Sequence, residues 1–544
     1  MSGRSAPPRR KRNMRCLFRR NASGVLLASI LAGCASLPPG SSFPKQPSSA
    51  FAHPEETRVG TIFARDSREH GEQSAFRMLT IGADGFAARM QMIQDAQRSL
   101  DVQYYVFTAD TTGLLVTASL LAAADRGVHV RVLVDDGETR AGDEQILALA
   151  AHPQIEVRVF NPFVYRGHLR LVRSAEFLAE KRRLNYRMHN KLFIEDNATA
   201  LIGGRNIGDP YFQIDPNEQY ADDDVFVGGP LVPKLSATFD EYWNSALAIP
   251  AQALVGSKPS KRKLERRRER LDEHFKEARR SGADYLKRAE QGDPFAGIVA
   301  GRLPVVWSTA QIVCDSPDKK EVVDGAAAGR LMYGPISEAV NSVQSELLMI
   351  TPYLVPTPGE LQLLRNLRRR HVRVRILTNS FNSTNEPAAH SGYARHRPEL
   401  LQMGIELYEV RAMLGSSRGS GQTAKMSRYG NYGLHGKLLV FDRKKVYAGS
   451  MNFDQRSRRL NTETGLIIHS PELAAETAAR FEAMTQPASA YAVSLQSPDS
   501  GKSPLIWRTE ENGKQVEYTK EPMRSGWRRI YVALLSMLPL DKDL

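Results

Sequence analysis

The chain has few cysteines for its length and no long apolar run beyond its first residues. Its 544 residues include three cysteines, of which Cys16 and Cys34 lie near the N-terminus and Cys314 stands alone. This distribution excludes a disulfide framework. Past the N-terminus no stretch approaches the roughly 18–20 apolar residues needed to cross a bilayer, which predicts that the body of the chain does not span one. A content of 42% hydrophobic, 25% charged and 8% aromatic residues indicates an ordinary globular protein of several domains.

The formal net charge of +14 comes from two segments, and little net charge lies outside them. Residues 1–33 carry eight basic residues and no acidic one, and residues 258–290 carry 13 basic and 7 acidic ones. Together they account for the whole excess, so the rest of the chain is nearly neutral. A nucleic-acid binder would be expected to spread basic residues over its body, so the charge gives little support for that class. The segment 258–290 predicts an exposed, charged helix.

The N-terminus has the parts of a signal peptide. A basic region ends at Arg20, a short apolar run covers Val25–Ala32, and small residues precede Cys34. The pattern resembles the bacterial lipoprotein signal, which implies lipidation of Cys34; an ordinary secretory signal is the alternative. Ala35 resembles the sorting pattern of the outer membrane. We therefore expect a cell-envelope protein that faces the periplasm, anchored through Cys34 in the outer rather than the inner membrane. Met14 is an alternative start, which would place residues 1–13 outside the protein.

Two segments of the chain repeat at an offset of about 247 residues. Strand-like runs begin at Ser99 and Glu346, and each is followed by a helix-like stretch and a second apolar strand. Strand–helix–strand units of this kind predict an α/β fold with mixed sheets flanked by helices, in two lobes. Matching order at matching spacing favours duplication over coincidence.

The predicted organisation has six parts. They are a signal peptide (1–33), a tether (34–70), a first lobe (71–250), a charged helical insert (251–300), a second lobe (301–485) and a C-terminal extension with an amphipathic helix (486–544).

Each repeat carries the same motif: a His, a Lys two residues on, an Asp seven on and an Asn seventeen on. The first copy comprises His189, Lys191, Asp196 and Asn206, and the second comprises His435, Lys437, Asp442 and Asn452. Residues i and i+2 of a strand share a face, so each His and Lys point into one cleft. A Lys ammonium beside a His disfavours a metal ion, so we expect no metal or other cofactor. The pair suits a phosphate, with the His as nucleophile or proton carrier and the Lys as a charge on the phosphate oxygens. The two Asn residues, with Gly204 and Ser450 just before them, are expected to bring amide, backbone or hydroxyl donors to the same phosphate, so Asn206 and Asn452 are predicted to bind it.

This pair of motifs resembles the paired HKD motifs of the phospholipase D superfamily over roughly residues 75–485. The resemblance implies two lobes that face each other across a pseudo-twofold axis and share one active site. It implies that one His attacks phosphorus, giving a phosphohistidine intermediate, while the other protonates the leaving alcohol. We expect His189 to attack and His435 to act as the acid. Asp196 and Asp442 belong to the motif but are expected to support the site rather than to react.

Two further acids occupy matching places after the motifs. Asp222 and Glu463 each stand eight residues before a proline that follows a strand. A catalytic His needs a partner for its other ring nitrogen, and this partner is commonly a carboxylate. We predict that Asp222 orients His189 and that Glu463 orients His435. Asp224 is the alternative to Asp222, and ordinary strand-edge charges are the alternative for both.

Several other residues carry weaker expectations. Tyr104, Tyr105 and Tyr353 line the cleft or pack in the core. His390 contacts a head group or is a solvated loop residue. Arg205 and Arg456 hold an anionic lipid or have structural roles.

Three functions fit the motifs. The first is a membrane-tethered phosphatidyltransferase or phospholipase D, because the signal places the protein at a membrane. Residues 526–539 predict an amphipathic stripe that lies on a bilayer or, as the alternative, docks on the protein body. The wider pattern resembles the bacterial cardiolipin synthase C branch, which implies phosphatidylglycerol and phosphatidylethanolamine as substrates, although cardiolipin synthases usually carry transmembrane helices. The second is an exported metal-independent nuclease of the same superfamily. The third is a catalytically silent lipoprotein that binds phospholipid.

Overall fold

A computed structural model describes residues 38–137, 143–166, 169–214, 218–254, 261–280, 294–412, 431–497 and 503–523. The predicted signal peptide, Cys34 and the amphipathic stripe 526–539 lie outside these ranges. Within them, no helix has both the length and the apolar character that crossing a membrane requires.

The first lobe is built on a nine-stranded sheet. Its strands, in chain order, are β1 (Ser74–Leu79), β2 (Ser99–Tyr104), β3 (His129–Asp135), β4 (Ile155–Phe160), β5 (Leu192–Glu195), β6 (Thr199–Gly203), β8 (Asp224–Gly228), β9 (Ala248–Pro250) and β10 (Val306–Ser308). The spatial order is β10-β1-β8-β6-β5-β2-β3-β4-β9. The neighbours β2, β3 and β4 are parallel and the other pairs are antiparallel, so the sheet is mixed.

The second lobe is built on a ten-stranded sheet. Its strands are β11 (Ala310–Cys314), β12 (Glu346–Ile350), β13 (Arg373–Asn379), β14 (Glu406–Val410), β16 (Leu438–Phe441), β17 (Lys445–Gly449), β18 (Thr464–Ile468), β19 (Ala490–Leu495), β20 (Leu505–Glu511) and β21 (Lys514–Tyr518). The spatial order is β11-β18-β17-β16-β12-β13-β14-β19-β20-β21. Seven consecutive strands, from β11 to β14, repeat the order β1-β8-β6-β5-β2-β3-β4 of the first sheet. The predicted α/β class and the two-lobed architecture are thus confirmed.

Two short strands belong to neither large sheet. β7 (Glu218–Ala221) lies in the first lobe and β15 (Asn431–Leu434) in the second, and they pair with each other in parallel. The lobes are therefore joined by backbone hydrogen bonds.

Helices cover the sheets. Those up to the insert are α1 (Arg58–Glu69), α2 (Gly82–Asp95), α3 (Thr111–Asp125), α4 (Asp143–Ala150), α5 (Arg170–Ala179), α6 (Lys181–Leu184), α7 (Val232–Asn244) and α8 (Ala251–Leu254). Those from the insert onward are α9 (Lys261–Arg280), α10 (Pro294–Val299), α11 (Lys319–Val323), α12 (Tyr333–Asn341), α13 (Pro358–Arg369), α14 (Pro387–Gln402), α15 (Gln455–Arg459) and α16 (Pro471–Met484). Short 3-10 turns cover Pro54–Glu56 and Asp209–Phe212.

Local sequence accounts for the helix starts. Thr357 caps α13 through a reciprocal capping box with Glu360, and Pro358 takes the first helical position, where its missing N–H costs nothing. Ser470 and Pro471 start α16 in a similar way. These helices follow or precede buried strands, and so they cover the sheet faces.

One apolar core extends across both lobes. It contains Leu133 and Phe239 of the first lobe together with Ile350 and Phe481 of the second. A continuous core resists relative motion of two bodies, because separating them would expose apolar surface to water. This packing holds the two sheets in a fixed position relative to each other.

Elements near or beyond the predicted boundaries add to one lobe or the other. The charged insert forms helix α9 over Lys261–Arg280, and this helix packs on α3 with Leu271 buried. Strand β10 lies beyond residue 300 yet pairs with β1 of the first lobe. Strands β19 to β21 lie beyond residue 485 and extend the second sheet.

Candidate active site

Each motif histidine lies in a short segment that leads into a buried strand. His189 precedes β5, and His435 lies between β15 and β16. Both side chains are about 95% buried. The sheets place these two segments at the faces through which the lobes meet.

Backbone hydrogen bonds tie each histidine to the opposite lobe. The His189 N–H donates to the carbonyl of Thr462 at 2.9 Å, and the His435 N–H donates to the carbonyl of Ala221 at 2.8 Å. Thr462 immediately precedes Glu463, and Ala221 immediately precedes Asp222. Each histidine is therefore held beside the acid of the other lobe.

The side chains follow the same crossing. His189 Nδ1 lies 2.8 Å from Glu463 Oε2, and His435 Nδ1 lies 2.6 Å from Asp222 Oδ2. The two acids do orient the histidines, but the predicted pairing within one lobe is wrong. The reason is the backbone pairing between lobes, which aligns each histidine with the residue before the opposite acid.

Two serine hydroxyls hold the Glu463 carboxylate. Ser450 Oγ donates to Oε2 at 2.5 Å and Ser457 Oγ donates to Oε1 at 2.8 Å. Ser450 was expected to bind phosphate, but its hydroxyl is committed to the acid. It is a positioning residue instead.

Gly204 makes room for the other acid. A Cβ at this position would lie only 2.1 Å from Asp222 Oδ1, so any side chain would displace the carboxylate. The expectation that Gly204 brings a donor to phosphate is corrected: its backbone N–H donates to the Asp223 carbonyl at 3.0 Å. Gly204 serves the site because its lack of a side chain leaves space for the Asp222 carboxylate.

Both motif lysines are buried and point at backbone. Lys191 Nζ donates to the carbonyl of His189 at 2.6 Å, and Lys437 Nζ donates to the carbonyl of His435. Burial holds the pKa of Lys191 well below its ordinary value and lowers the pKa of Lys437 to about 8. A bound anion would therefore raise the pKa of each lysine and favour its charged form.

Charged groups of both lobes shift the pKa values of the two histidines. Burial holds the pKa of His189 well below its ordinary value, and the ammonium groups of Lys191 and Lys437 act in the same direction. Burial and Lys437 lower the pKa of His435 to about 3, against the Asp222 carboxylate, which raises it. Because each lysine acts on the histidine of the other lobe, the two motifs form one electrostatic unit.

The two acids differ. Burial alone would raise the pKa of Asp222, but His435 and Lys437 hold it below its ordinary value. Burial raises the pKa of Glu463 to about 7, in spite of Lys191 and the two serine hydroxyls. Asp222 is thus held in its anionic form, whereas burial shifts Glu463 toward its neutral form.

The motif aspartates hold turns. Asp196 accepts hydrogen bonds from the backbone N–H groups of Gln97, Arg98 and Ser99 at 2.7–2.9 Å, at the start of β2. Asp442 does the same for the N–H groups of residues 344–346, at the start of β12. Both aspartates have left-handed backbone, with φ of 51° and 50°. They fix the strand beside the histidine strand and do not contact the reacting histidines.

The two motif asparagines are buried near the site. Asn206 Oδ1 accepts from the Val106 N–H at 3.1 Å, which fixes the loop after β2. Asn452 Oδ1 is buried without a hydrogen-bond partner in the described part of the chain. Phosphate binding by either side chain stays a prediction.

The neighbouring charged residues have structural roles. Asp224 pairs with Arg89 at 2.7 Å and with Arg205 at 3.2 Å, so it is not the orienting acid. Arg205 is buried in that network, and Arg456 donates to Asn185 Oδ1 of the other lobe at 2.7 Å. These contacts favour structural roles over lipid binding for both arginines.

The other candidates divide between the core and the site. Tyr104 is buried, and its hydroxyl accepts from Arg89 Nε at 2.9 Å. Tyr105 lies edge-on to His189, with ring centroids 5.0 Å apart. Tyr353 donates to Asn385 Oδ1 at 2.8 Å. His390 is neither solvated nor in a loop, since it lies buried in α14 beside Glu521, 2.7 Å away.

Sequence reasoning missed several residues of the site. Tyr211 and Tyr220 flank the His435 ring at 5.1 and 5.5 Å between centroids. Thr462 Oγ1 donates to Asn190 Oδ1 at 2.8 Å, a side-chain bond between the lobes. Asn190 lies inside the first motif, which could have drawn attention to it, but nothing in the sequence indicates Tyr211.

The arrangement suits transfer at a phosphodiester. In both pairs the carboxylate takes Nδ1, which leaves Nε2 for the phosphorus or for a proton. Two buried lysines offer charge to the non-bridging oxygens. Burial keeps water away from the reacting atoms.

Comparisons with known proteins agree with this geometry. Residues 90–243 and 336–485 match the family described as cardiolipin synthase, PLD-like domain, one range in each lobe. The chain is 36% identical over 476 residues to cardiolipin synthase C of Escherichia coli (strain K12), covering 87% of this chain and 97% of that one. It is 24% identical over 414 residues to the major cardiolipin synthase of Bacillus subtilis (strain 168), covering 76% and 69%.

A solved structure shares the fold. The phosphatidylserine synthase of Haemophilus influenzae Rd KW20 superposes with a TM-score of 0.50 at 14% identity, over 79% of this chain and 91% of that one. At this identity the likeness bears on the fold alone.

The crossed pairing makes a prediction for histidine NMR. In protein labelled with ¹⁵N-histidine, the Nδ1 protons shared with Asp222 and Glu463 should give two downfield resonances. Asp222→Asn should remove the resonance that His435→Asn removes, and Glu463→Gln should remove the one that His189→Asn removes. Each acid variant should also lose activity by a factor on the order of 10³ to 10⁴, because the imidazole loses its orientation. The opposite assignment of resonances would contradict the crossing.

Proposed function

This chain belongs to the cardiolipin synthase family of phospholipase D-like enzymes, and we propose that it transfers a phosphatidyl group from one phospholipid to an alcohol of another. The observation that carries the proposal is the pair of buried, crossed contacts, His189–Glu463 and His435–Asp222. Phosphatidylglycerol and phosphatidylethanolamine are the proposed substrates, and a cardiolipin is the proposed product.

In the first step, His189 Nε2 attacks the phosphorus of the donor lipid. A phosphorus–nitrogen bond forms while the bond to the leaving alcohol oxygen breaks, and His435 gives that oxygen a proton. The ammonium groups of Lys191 and Lys437 hold the non-bridging oxygens and take up the developing charge. The product of this step is a phosphatidylhistidine.

In the second step the roles reverse. His435, now neutral, takes the proton from a hydroxyl of the second lipid, and that oxygen attacks phosphorus. The phosphorus–nitrogen bond breaks, which returns neutral His189. Atoms and charge balance, and the enzyme ends as it began.

The difference between the acids supports this order. Burial and Lys437 lower the pKa of His435 to about 3, so His435 takes up the proton that it donates only when the phosphodiester anion is bound. The Asp222 anion then stabilises the imidazolium, so His435 suits the acid role. Glu463, whose pKa is raised to about 7, gives His189 less support as a cation. His189 therefore stays neutral, as a nucleophile must.

Burial supports transfer over hydrolysis. The rings of Tyr105, Tyr211 and Tyr220 pack around the two histidines, which are both about 95% buried. An alcohol held in the same lipid surface would then compete well with water for the intermediate.

The products formed from defined lipids test the function. Full-length protein with phosphatidylglycerol and phosphatidylethanolamine should give cardiolipin, and His189→Ala and His435→Ala should each lower the rate by about 10³-fold or more. The exposed His469, outside the site, provides a matched control, and His469→Ala should act like the wild type. Phosphatidic acid alone would indicate a hydrolase instead. Neither product, with cleavage of DNA in a chelator, would indicate the nuclease.

We also propose that the protein is attached to the outer membrane of a bacterial envelope through lipid on Cys34. The support is the sequence pattern before Cys34, which resembles a lipoprotein signal. Metabolic labelling with palmitate should mark the wild type and not Cys34→Ser. Equal labelling of both would reject the anchor at this residue.

A further inference from the structure

Exposed apolar side chains are concentrated between β4 and His189. They are Val164 (64% exposed), Leu169 (65%), Leu171 (86%), Val172 (41%) and Leu178 (73%). In the part of the chain that the structure describes, only Phe43 and Ile81 are comparable large apolar residues. Five of seven such side chains therefore lie within one segment of 15 residues, which marks an interaction surface rather than scattered exposure.

Helix α5, within this segment, exposes its apolar side to solvent and turns its polar side toward the protein. Leu171 and Leu178 are two turns apart, so they share a face, and that face points to solvent. On the opposite side, Arg173 donates to the Asp136 carbonyl, and its guanidinium carbon lies 4.0 Å from the centroid of the Phe163 ring. On the same side, the Glu176 carboxylate accepts the N–H of Val164 at 2.6 Å. A helix of a water-soluble surface has the reverse arrangement, with its apolar side against the protein.

The surroundings of this apolar face are basic. Residues 164–183 contain six arginines and lysines and two glutamates, a net charge of +4, whereas the rest of the chain outside residues 1–33 and 258–290 carries a net charge of −4. Lys181 and Arg182, just after α5, are exposed. An apolar face bordered by positive charge complements the headgroup region of an anionic bilayer. The same charge disfavours a twofold contact between two copies, which would place +4 against +4.

The face lies on the active-site side of the first lobe. Asp136, which holds Arg173, directly follows Asp135, whose carboxylate accepts the Met188 N–H at 2.8 Å. Met188 directly precedes His189. Strand β4 runs parallel to β3, and β3 to β2, so the segment after β4 leaves the sheet at the same edge as Tyr105, which contacts His189.

We propose that α5, together with Val164 and Leu169, inserts into the headgroup region of an anionic phospholipid bilayer and so places the lipid surface beside His189. A phospholipid can then enter the site without its chains crossing water. The inference rests on the proposed function only in taking membrane phospholipid as the substrate.

The test compares binding and catalysis in one set of full-length proteins, all carrying Cys34→Ser so that no anchor contributes. Binding is measured by sedimentation with vesicles of phosphatidylcholine and phosphatidylglycerol. Leu171→Ser/Leu178→Ser should lower the partition coefficient by about tenfold or more, because two side chains lose their burial in lipid. Phe43→Ser, which removes an exposed apolar side chain elsewhere, should bind like the parent.

Catalysis separates this inference from the function. On a short-chain phosphatidylglycerol below its micelle concentration, the double variant should keep the parent rate, because its site is untouched. Loss of rate only on vesicles supports the proposal. If the double variant binds vesicles as strongly as the parent, the proposal is overturned. It is also overturned if the parent is a dimer and the double variant is a monomer. A parent inactive on every lipid would refute the function, and the binding comparison would still decide the inference.

Discussion

The hydrogen bonds that cross between the lobes are the constraint on which the site depends. The N–H of His189 reaches the residue before Glu463, and the N–H of His435 reaches the residue before Asp222. The histidine and the acid of one lobe therefore do not contact each other, and each contacts its partner in the other lobe. The shared apolar core and the parallel pair β7–β15 keep this exchange in register, since sliding one lobe past the other would break both histidine–acid contacts at once.

The histidine–acid contacts between the lobes also explain how four charged side chains can be buried together at the site. Two lysines and two acids lie behind the histidines, and every one of these groups would be costly to bury alone. The acids have partners, namely a histidine for each and two serine hydroxyls for Glu463. The lysines donate to backbone carbonyls, and the carboxylates of Asp222 and Glu463 balance part of their charge. A phosphodiester anion adds a further negative charge beside them, so substrate binding stabilises both ammonium groups.

The duplication made much of this predictable. Matching motifs in matching strand–helix–strand units indicate two lobes with equivalent sheets, and they identify the histidines and lysines directly. Even the acids could be found, because Asp222 and Glu463 precede equivalent strands. The pairing could not, because a symmetric sequence fits acids acting within one lobe as well as acids exchanged between lobes. The backbone contacts of His189 with Thr462 and of His435 with Ala221 decide it. Sequence also failed for Ser450, whose hydroxyl binds an acid rather than a phosphate, and for Tyr211, which reaches His435 from a turn with no motif.

The most direct test of one shared site with divided roles is to trap the intermediate. His435→Ala is incubated with a p-nitrophenyl ester of phosphatidic acid, whose leaving group needs no proton, and the adduct is mapped by mass spectrometry at alkaline pH. A phosphatidyl group should accumulate on His189, because attack proceeds while no base activates the acceptor, and His189→Ala should carry no adduct. An adduct on His435 in the His189→Ala variant would contradict the account.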